Sequence, residues 1–585
     1  MINSKLKRFF EVLFILGALF CAIAVIPPIT AKIVDFMAGF AADGAIDTVF
    51  WRQFVFGWGI AAILAVAMIL AVWETKLGRK LLDDISKETM EVVRGFFKKR
   101  TLVFWLGTFA FLFLCYLPVF RADSFQFTID DLRRALSGDR GFNGFARWID
   151  EYVGILVNTN LLFFDIAPLS QYIGVAFLAL SGVCLAHIFS GGKISVVGVA
   201  VSCPLMLSPW FFSNMTYRVD SPYMALSVLA GIAPFVAAKS RSAFIALSVI
   251  FNLVMCMTYQ LSSGIYIVMT MAVAFYWFVR DEEKPIECLK FIGIAALSYL
   301  IPLGLYKFLF IPGSSDGYVG TQVATAAGLI PTILNNGKAY ISYVFSDMGK
   351  SAIALVFPIT LLLFLLSIPK KTPLKILLGI LLIALSLPLS YGVMLAIPNA
   401  PTYVRAFCGT GIFLAIPQIL AVSNFALVKG KIPKMVAAVA IFFSWCFVVF
   451  GISFGNCLSA QKEFLSHRTD LLIADLNEVC PNPQNADFSI EGNFGIAPLI
   501  RVPAKVYPVI PRALMSNHAS GQWAYLLILK QYDMGKLNVE ELQVSTLAKV
   551  HLKEANLPIL KETAFYTIRG EGDRFFITLR PINSP

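Results

Sequence analysis

Long apolar runs alternate with short polar connections along most of this chain of 585 residues. Runs of about 17 to 23 residues are long enough to cross roughly 30 Å of hydrocarbon. The pattern predicts thirteen membrane-spanning helices. They lie at about 9–27, 51–73, 101–120, 171–189, 194–212, 222–238, 243–259, 264–279, 288–310, 351–368, 376–396, 406–426 and 435–455. The first run follows Lys5, Lys7 and Arg8. Ile26-Pro27-Pro28 is a poor small-residue cleavage site, so the run reads as a retained helix rather than a signal peptide. From about 456 onward the composition is that of a soluble protein. Gln461 to Val479 reads as helix and Phe575-Phe576-Ile577-Thr578-Leu579 as strand. The predicted architecture is an all-α polytopic membrane protein with a C-terminal soluble mixed α/β domain. Its units are 1–100 (two spans and an amphipathic segment), 101–455 (the main bundle) and 456–585.

Charge fixes the expected orientation. Residues 74–100 carry Lys76, Arg79, Lys80, Lys87, Arg94, Lys98, Lys99 and Arg100 and read as an amphipathic helix or hairpin on anionic headgroups. Alternation puts this segment on one side with Lys193, with Lys239 and Arg241, with Arg280 and Lys284, with Lys370, Lys371 and Lys375, and with Lys429, Lys431 and Lys434. By the positive-inside rule that side is cytoplasmic. The amino terminus is then inside and the C-terminal domain outside. The net charge of +12 is an orientation signal and not one for nucleic acid. The ten cysteines form no CxxC and have no histidine partners, so a metal site is not expected. Cys457 and Cys480 could pair if their side is oxidising.

Three segments fall outside: 121–170, 311–350 and the tail. The first contains Phe125-Gln126-Phe127-Thr128-Ile129-Asp130-Asp131-Leu132-Arg133-Arg134. Thr128 and Asp131 fit a capping box, which explains one carboxylate and leaves the second, and the two arginines, without a task. Phe145, Trp148, Tyr152 and Ile155/Leu156 recur at helical spacing, as in a helix lying in the interface with Arg147, Asp150 and Glu151 between its aromatics. Asp165-Ile166-Ala167-Pro168 reads as an N-cap with proline in the first turn of the next span. Further ends present Tyr217-Arg218-Val219-Asp220, Tyr259-Gln260, and Tyr403 with Arg405. In the short outside loops arginine outnumbers lysine, and the guanidinium fork suits phosphate. Headgroup snorkelling is the favoured reading for Arg121 and stays open for Arg140.

Taken together these pieces resemble the Gtr-type (type II) glucosyltransferases that modify bacterial O-antigen, within the GT-C class. The residues carrying the resemblance are Ile129-Asp130-Asp131-Leu132-Arg133-Arg134 with Arg147-Trp148, Asp165-Ile166-Ala167-Pro168-Leu169, Tyr217-Arg218-Val219-Asp220-Ser221, Tyr259-Gln260 and Arg405, spread over about 101–460. Two extra spans precede the first outer loop, and the usual aromatic before the aspartate pair is displaced to Phe127. The resemblance implies a GT-C fold and a hexose, glucose in the family, carried on undecaprenyl phosphate to a surface glycan such as lipopolysaccharide O-antigen at the periplasmic face of a bacterial inner membrane. It implies an inverting reaction in which Asp131 or Asp130 is the general base, with analogy slightly favouring Asp131. Arg218, Arg405, Arg133 and Arg134 would hold the phosphate. Asp220, Tyr217, Gln260, Tyr259, Arg147, Asp165 and Tyr403 would contact substrate. No cofactor is expected, and a divalent cation is compatible but not required. An O-antigen polymerase or ligase, or a flippase of lipid-linked sugars, remains an alternative. A flippase would want charges at the bilayer midplane, whereas here they gather at the ends of spans.

Overall fold

The structure, a computed structural model, describes residues 2–24, 26–38, a few positions between 63 and 71, 74–122, 129–311, 323–515, 522–537 and 557–581. Among these, seven helices are long and apolar enough to cross a membrane: Lys99–Arg121, Leu169–Phe189, Arg241–Thr258, Gln260–Asp281, Pro285–Phe310, Val404–Phe425 and the first part of Ile432–Val479. The total becomes ten if three bent pairs each count as one span. One pair is Lys7–Ala24 with Pro27–Asp35. The second, Val196–Met206 with Pro209–Met215, turns by 72°. It breaks at Ser208-Pro209, where proline removes a backbone donor. The third, Leu329–Met348 with Ala352–Ser367, turns by 116° at Gly349, whose φ of 54° is open to glycine. The runs expected at 222–238 and 376–396 form the shorter apolar helices Ser221–Ala237 and Pro373–Leu389. Most of the run expected at 51–73 lies outside the described residues.

Two expectations are corrected, the reading of 311–350 and the pairing of Cys457 with Cys480. The segment 311–350, read as a polar loop, is largely the helix Leu329–Met348. Asn335, Asn336 and Lys338 dilute its hydropathy, while Ile330, Leu334 and Phe345 stay exposed along it. The boundary expected near 456 falls inside one unbroken helix, Ile432–Val479, of 48 residues. That helix also excludes the Cys457–Cys480 pairing. The two are 23 residues apart on one rod, about 35 Å at 1.5 Å per residue, far beyond disulfide reach, and both are free.

The long helix is drawn against the bundle by Gly451 and Gly455, one turn apart. Gly451 lies against the Phe212 ring and Gly455 against Pro118 of Lys99–Arg121. Small residues at this spacing let helices approach closely inside a membrane.

The bundle has two unlike ends. At one, Arg100 donates to the Ile194 carbonyl (2.6 Å), Lys239 pairs with Asp281 (3.2 Å), Ser240 donates to Glu88 of the helix Lys76–Phe96 (2.6 Å), and Lys370 pairs with Glu282 (2.5 Å). The loops that alternation groups by their lysines therefore meet at one end. The spans carry the chain from there to the other end, where 129–168, 217–220, 259–260, 306–311 and 391–405 converge.

Beyond the long helix, strands β1 (Asp487–Gly492), β2 (Ile559–Glu562), β3 (Tyr566–Glu571) and β4 (Arg574–Leu579) form a sheet of order β1-β4-β3-β2. β1 runs parallel to β4, and β3 is antiparallel to both β4 and β2. Gln461 ties this part to the rod: its amide donates to the Gly495 carbonyl (2.9 Å) and accepts from the Ala497 N–H (2.7 Å).

Candidate active site

The site grows from the short helix Ile129–Ser137, with Asp130 and Asp131 in its first turn. Thr128, the expected cap, lies outside the described residues. The two aspartates have different surroundings. Asp131 is 1% exposed. Its Oδ2 accepts from the Arg218 N–H (2.7 Å) and its Oδ1 from the Val219 N–H (3.1 Å), so it pins the turn at 217–219. Asp130 is half-buried, and its carboxylate has no hydrogen bond or ion pair to any described residue. Its charge acts on Arg134, Asp220 and Arg405.

The arginines divide in the same way. Arg134 is 3% exposed, donates to Asp220 Oδ1 (2.8 Å) and to the Arg140 carbonyl (3.1 Å), lies 3.6 Å from Asp131 Oδ1, and stacks on Phe142 at 4.3 Å. Burial works against its charge, but Asp220, Asp130, Asp131 and Asp139 together outweigh burial and hold its pKa above the ordinary value. Burial pushes the Asp220 carboxyl up, with Arg134 opposing. Arg133 pairs locally with Asp139. Arg140 pairs with Glu151 (2.7 Å), which also accepts from the Phe142 N–H (3.2 Å).

Arg218 forks onto Asp165, Nε to Oδ1 (3.0 Å) and Nη2 to Oδ2. The span beyond Asp165 begins at Leu169, so Asp165 is not its N-cap. It instead closes a small turn by accepting from the Ala167 N–H (3.0 Å).

Arg405 differs from these. It sits on the single turn Val404–Phe407 with its guanidinium carbon 4.5 Å from the ring centres of both Tyr217 and Tyr403. Its side chain has no hydrogen bond or ion pair to a described residue. Two aromatic faces hold the cation by its quadrupole attraction and leave its N–H edge for a ligand. Its carbonyl accepts from Tyr259 (3.3 Å).

The helix Trp148–Asn158 closes the floor. Trp148 Nε1 donates to the Phe310 carbonyl (2.9 Å). Tyr152, Val153 and Leu156 face outward, while Asp150, Glu151, Gly154 and Asn158 are buried. The aromatic stripe that marks the interface thus has a polar stripe on its back at positions 147, 150, 151, 154 and 158. That helical spacing was the signal for Asp150, which residue-by-residue reading missed. Asp150 is 2% exposed, and its Oδ1 has no hydrogen-bond partner. Burial pushes its acid well above the ordinary range, with Arg147 opposing. Arg147 lies over the rings of Tyr259 (4.9 Å) and Phe145 (5.3 Å). Gln260 donates to the Tyr306 hydroxyl (2.6 Å), which donates to the Ala146 carbonyl (3.2 Å). Tyr306 also had no distinguishing mark in the sequence.

The part beyond the long helix reaches this site through Arg512. It pairs with buried Asp347, donates to the Thr402 carbonyl (2.7 Å) beside Tyr403, and stacks on Tyr343 at 4.6 Å. Asp347 in turn accepts from Trp210 (2.8 Å). Among the described residues, no group of three His, Cys, Asp or Glu side chains is placed to hold a metal ion.

The sequence model of a family described as Glucosyl transferase GtrII matches residues 123–422. That is 300 of the 585 residues, counting inclusively, and the stretch contains every candidate residue from Asp130 to Arg405. A Salmonella phage P22 protein, described as an uncharacterized 55.3 kDa protein in the gtrB 5' region, is 27% identical over 148 residues. The similarity covers 25% of this chain and 30% of the phage protein, so the chain matches less than a third of that relative's length. No solved structure matches the chain. With the family match spanning over half the chain and enclosing the whole charged site, the chain belongs to the GtrII glucosyl transferase family.

Proposed function

We propose that this protein transfers a glucosyl group from undecaprenyl phosphate to a hydroxyl of a surface glycan, in modification of lipopolysaccharide O-antigen, at the periplasmic face of a GT-C-type bundle of thirteen spans. One observation carries the reading. Among the described residues, the Asp130 carboxylate and the Arg405 guanidinium have no hydrogen bond or ion pair, in a site where Arg133, Arg134, Arg140 and Arg218 are each occupied by a carboxylate.

Asp130 accepts the proton of the acceptor hydroxyl as that oxygen attacks the anomeric carbon. The bond from that carbon to the phosphate oxygen breaks on the opposite face, and the electron pair leaves with the phosphate. Attack opposite the leaving group inverts the anomeric centre. Arg405, held between Tyr217 and Tyr403, meets the growing phosphate charge in a site poor in water, where such a contact is worth most. Its fixed charge makes a divalent cation dispensable, and transfer continues in chelator. Asp131, Arg134 and Asp220, with the Arg218–Asp165 fork, hold the 217–220 turn so that Tyr217 stays under Arg405. Arg147, Tyr259 and Gln260 border the space for the sugar.

The test is glycan composition and linkage in cells carrying wild type, Asp130→Asn or Asp131→Asn at matched membrane levels. Wild type adds a hexose branch, and Asp130→Asn adds none. A full branch in Asp130→Asn would remove Asp130 as the base. A change in glycan length without a branch would replace this reading with a polymerase.

A further inference from the structure

Asp150 is a buried carboxyl that the reaction above does not use. It sits in the first turn of Trp148–Asn158, on the inward stripe, and its Oδ1 is buried without a hydrogen bond. An unmade hydrogen bond at a buried polar atom costs about 1–3 kcal/mol, so such an atom calls for a ligand or a function. Its neighbours already have other partners. Arg134, whose charge acts on Asp150, is bound by Asp220 (2.8 Å), and Glu151 is held by Arg140 (2.7 Å). The charge of Asp150 acts on Tyr223 on one side and on Tyr306 on the other. Tyr306 carries the Gln260 amide (2.6 Å). Asp150 thus lies near the Tyr306–Gln260 pair, and the charges of Arg147 and Asp220 act on it in turn. Burial also drives the Asp150 acid toward its neutral form, in which it can give a hydrogen bond as well as take one. A polyol fits that chemistry, because each of its hydroxyls does the same. An anion does not fit beside an unpaired carboxyl.

We propose that Asp150 recognises a hydroxyl of the hexose being transferred, its unpartnered oxygen completing a hydrogen bond to the sugar beside Gln260. Asp150 is therefore a specificity-determining residue for the sugar, distinct from the groups assigned to proton and phosphate. The inference rests on the proposed lipid-phosphate sugar donor.

The experiment measures binding of donors to the purified full-length protein in phospholipid vesicles, which requires no acceptor. The probes are polyprenyl-phosphate glucose, its 2-, 3-, 4- and 6-deoxy analogues, and polyprenyl phosphate without sugar. Wild type is expected to bind one deoxy analogue on the order of 10- to 100-fold more weakly than the glucose form, the range for a hydrogen bond to such a group. Asp150→Ala is expected to lose that preference while keeping the others and its affinity for the bare lipid phosphate. Asp150→Asn, which keeps an accepting oxygen in the same shape, falls between and covers the case in which Asp150→Ala does not fold. A preference profile unchanged in both variants would overturn the inference, with a bridging water satisfying Asp150 instead. Equal binding of all the analogues by wild type would overturn it too, while leaving the lipid-phosphate reading standing. Failure of wild type to bind any of these lipids would overturn that reading and the inference with it.

Discussion

The two ends of the bundle both carry charges, but they treat them differently. At the lysine-rich end the pairs are exposed: Lys239 with Asp281 has side-chain exposures of 76% and 28%, and Lys290 with Glu287 of 60% and 51%. Such pairs contribute little, because water screens them and long side chains lose freedom in forming them. At the opposite end Arg134 and Asp220 are 3% and 5% exposed. A buried pair must overcome several kcal/mol of desolvation per ion and is weak evidence of stabilisation. Charges kept there against that cost set this end apart, and the proposed chemistry falls to Asp130 and Arg405, which have no hydrogen bond or ion pair to a described residue. The lysine end keeps its ion pairs in the open, whereas the arginine end holds a constellation in place.

Four substitutions sharpen that contrast, taken from the largest expected effect to the smallest. Asp130→Asn removes the proposed base and lowers the turnover rate by on the order of 10²–10⁴, with an unchanged melting temperature. A comparable loss of thermal stability would show that Asp130 belongs with the paired group. Arg134→Ala leaves Asp220 and Asp131 buried without their cation and destabilises the fold by about 3–5 kcal/mol, read as a lowered unfolding midpoint. A variant that melts like wild type would mean that solvent reaches this end as freely as the other. Arg512→Ala loosens the Thr402 carbonyl and, through it, the Tyr403–Arg405 turn, lowering kcat/KM about 10-fold by misplacement. Added to Arg405→Ala it lowers kcat/KM no further, since both act through one guanidinium. Simple additivity would uncouple the C-terminal part from the site. Lys239→Ala leaves both transfer and melting temperature unchanged, and a measurable loss of either would erase the distinction between the ends.

Much of the bundle was legible because apolar length is a local property. Each of the thirteen runs has a helical counterpart among the described residues, apart from the one at 51–73. What a hydropathy window misses is where a run bends and where it continues. Ser208-Pro209 and Gly349 break helices inside or beside apolar stretches. Nothing marks the passage from Ile432 to Val479 as one rod, because the polar change near 456 alters solvent and not backbone. The same limit applies at the site. Asp130 and Asp131 are neighbours with the same chemistry, and only backbone amides of Arg218 and Val219, nearly ninety residues away, separate them. Arg218 and Arg405 look equally suited to phosphate until Asp165 is seen to occupy the first. Arg512 lies outside residues 123–422, which the family model matches, and its link to Thr402 is wholly tertiary.

The helix Ile432–Val479 sets a rotation as well as a distance. At 1.5 Å per residue its 48 residues extend about 72 Å, more than twice a bilayer's apolar thickness of roughly 30 Å. The Gly451 and Gly455 clamp fixes its phase at one end, and Gln461 and the sheet read that phase further on. One residue inserted near Ser459 would raise the distal part by only about 1.5 Å but turn it by about 100°, swinging Arg512 away from Asp347 and Thr402. Four inserted residues would bring it back to within about 40° at a height about 6 Å greater. Angular registry, more than distance, is what this rod transmits from the bundle to the domain beyond it.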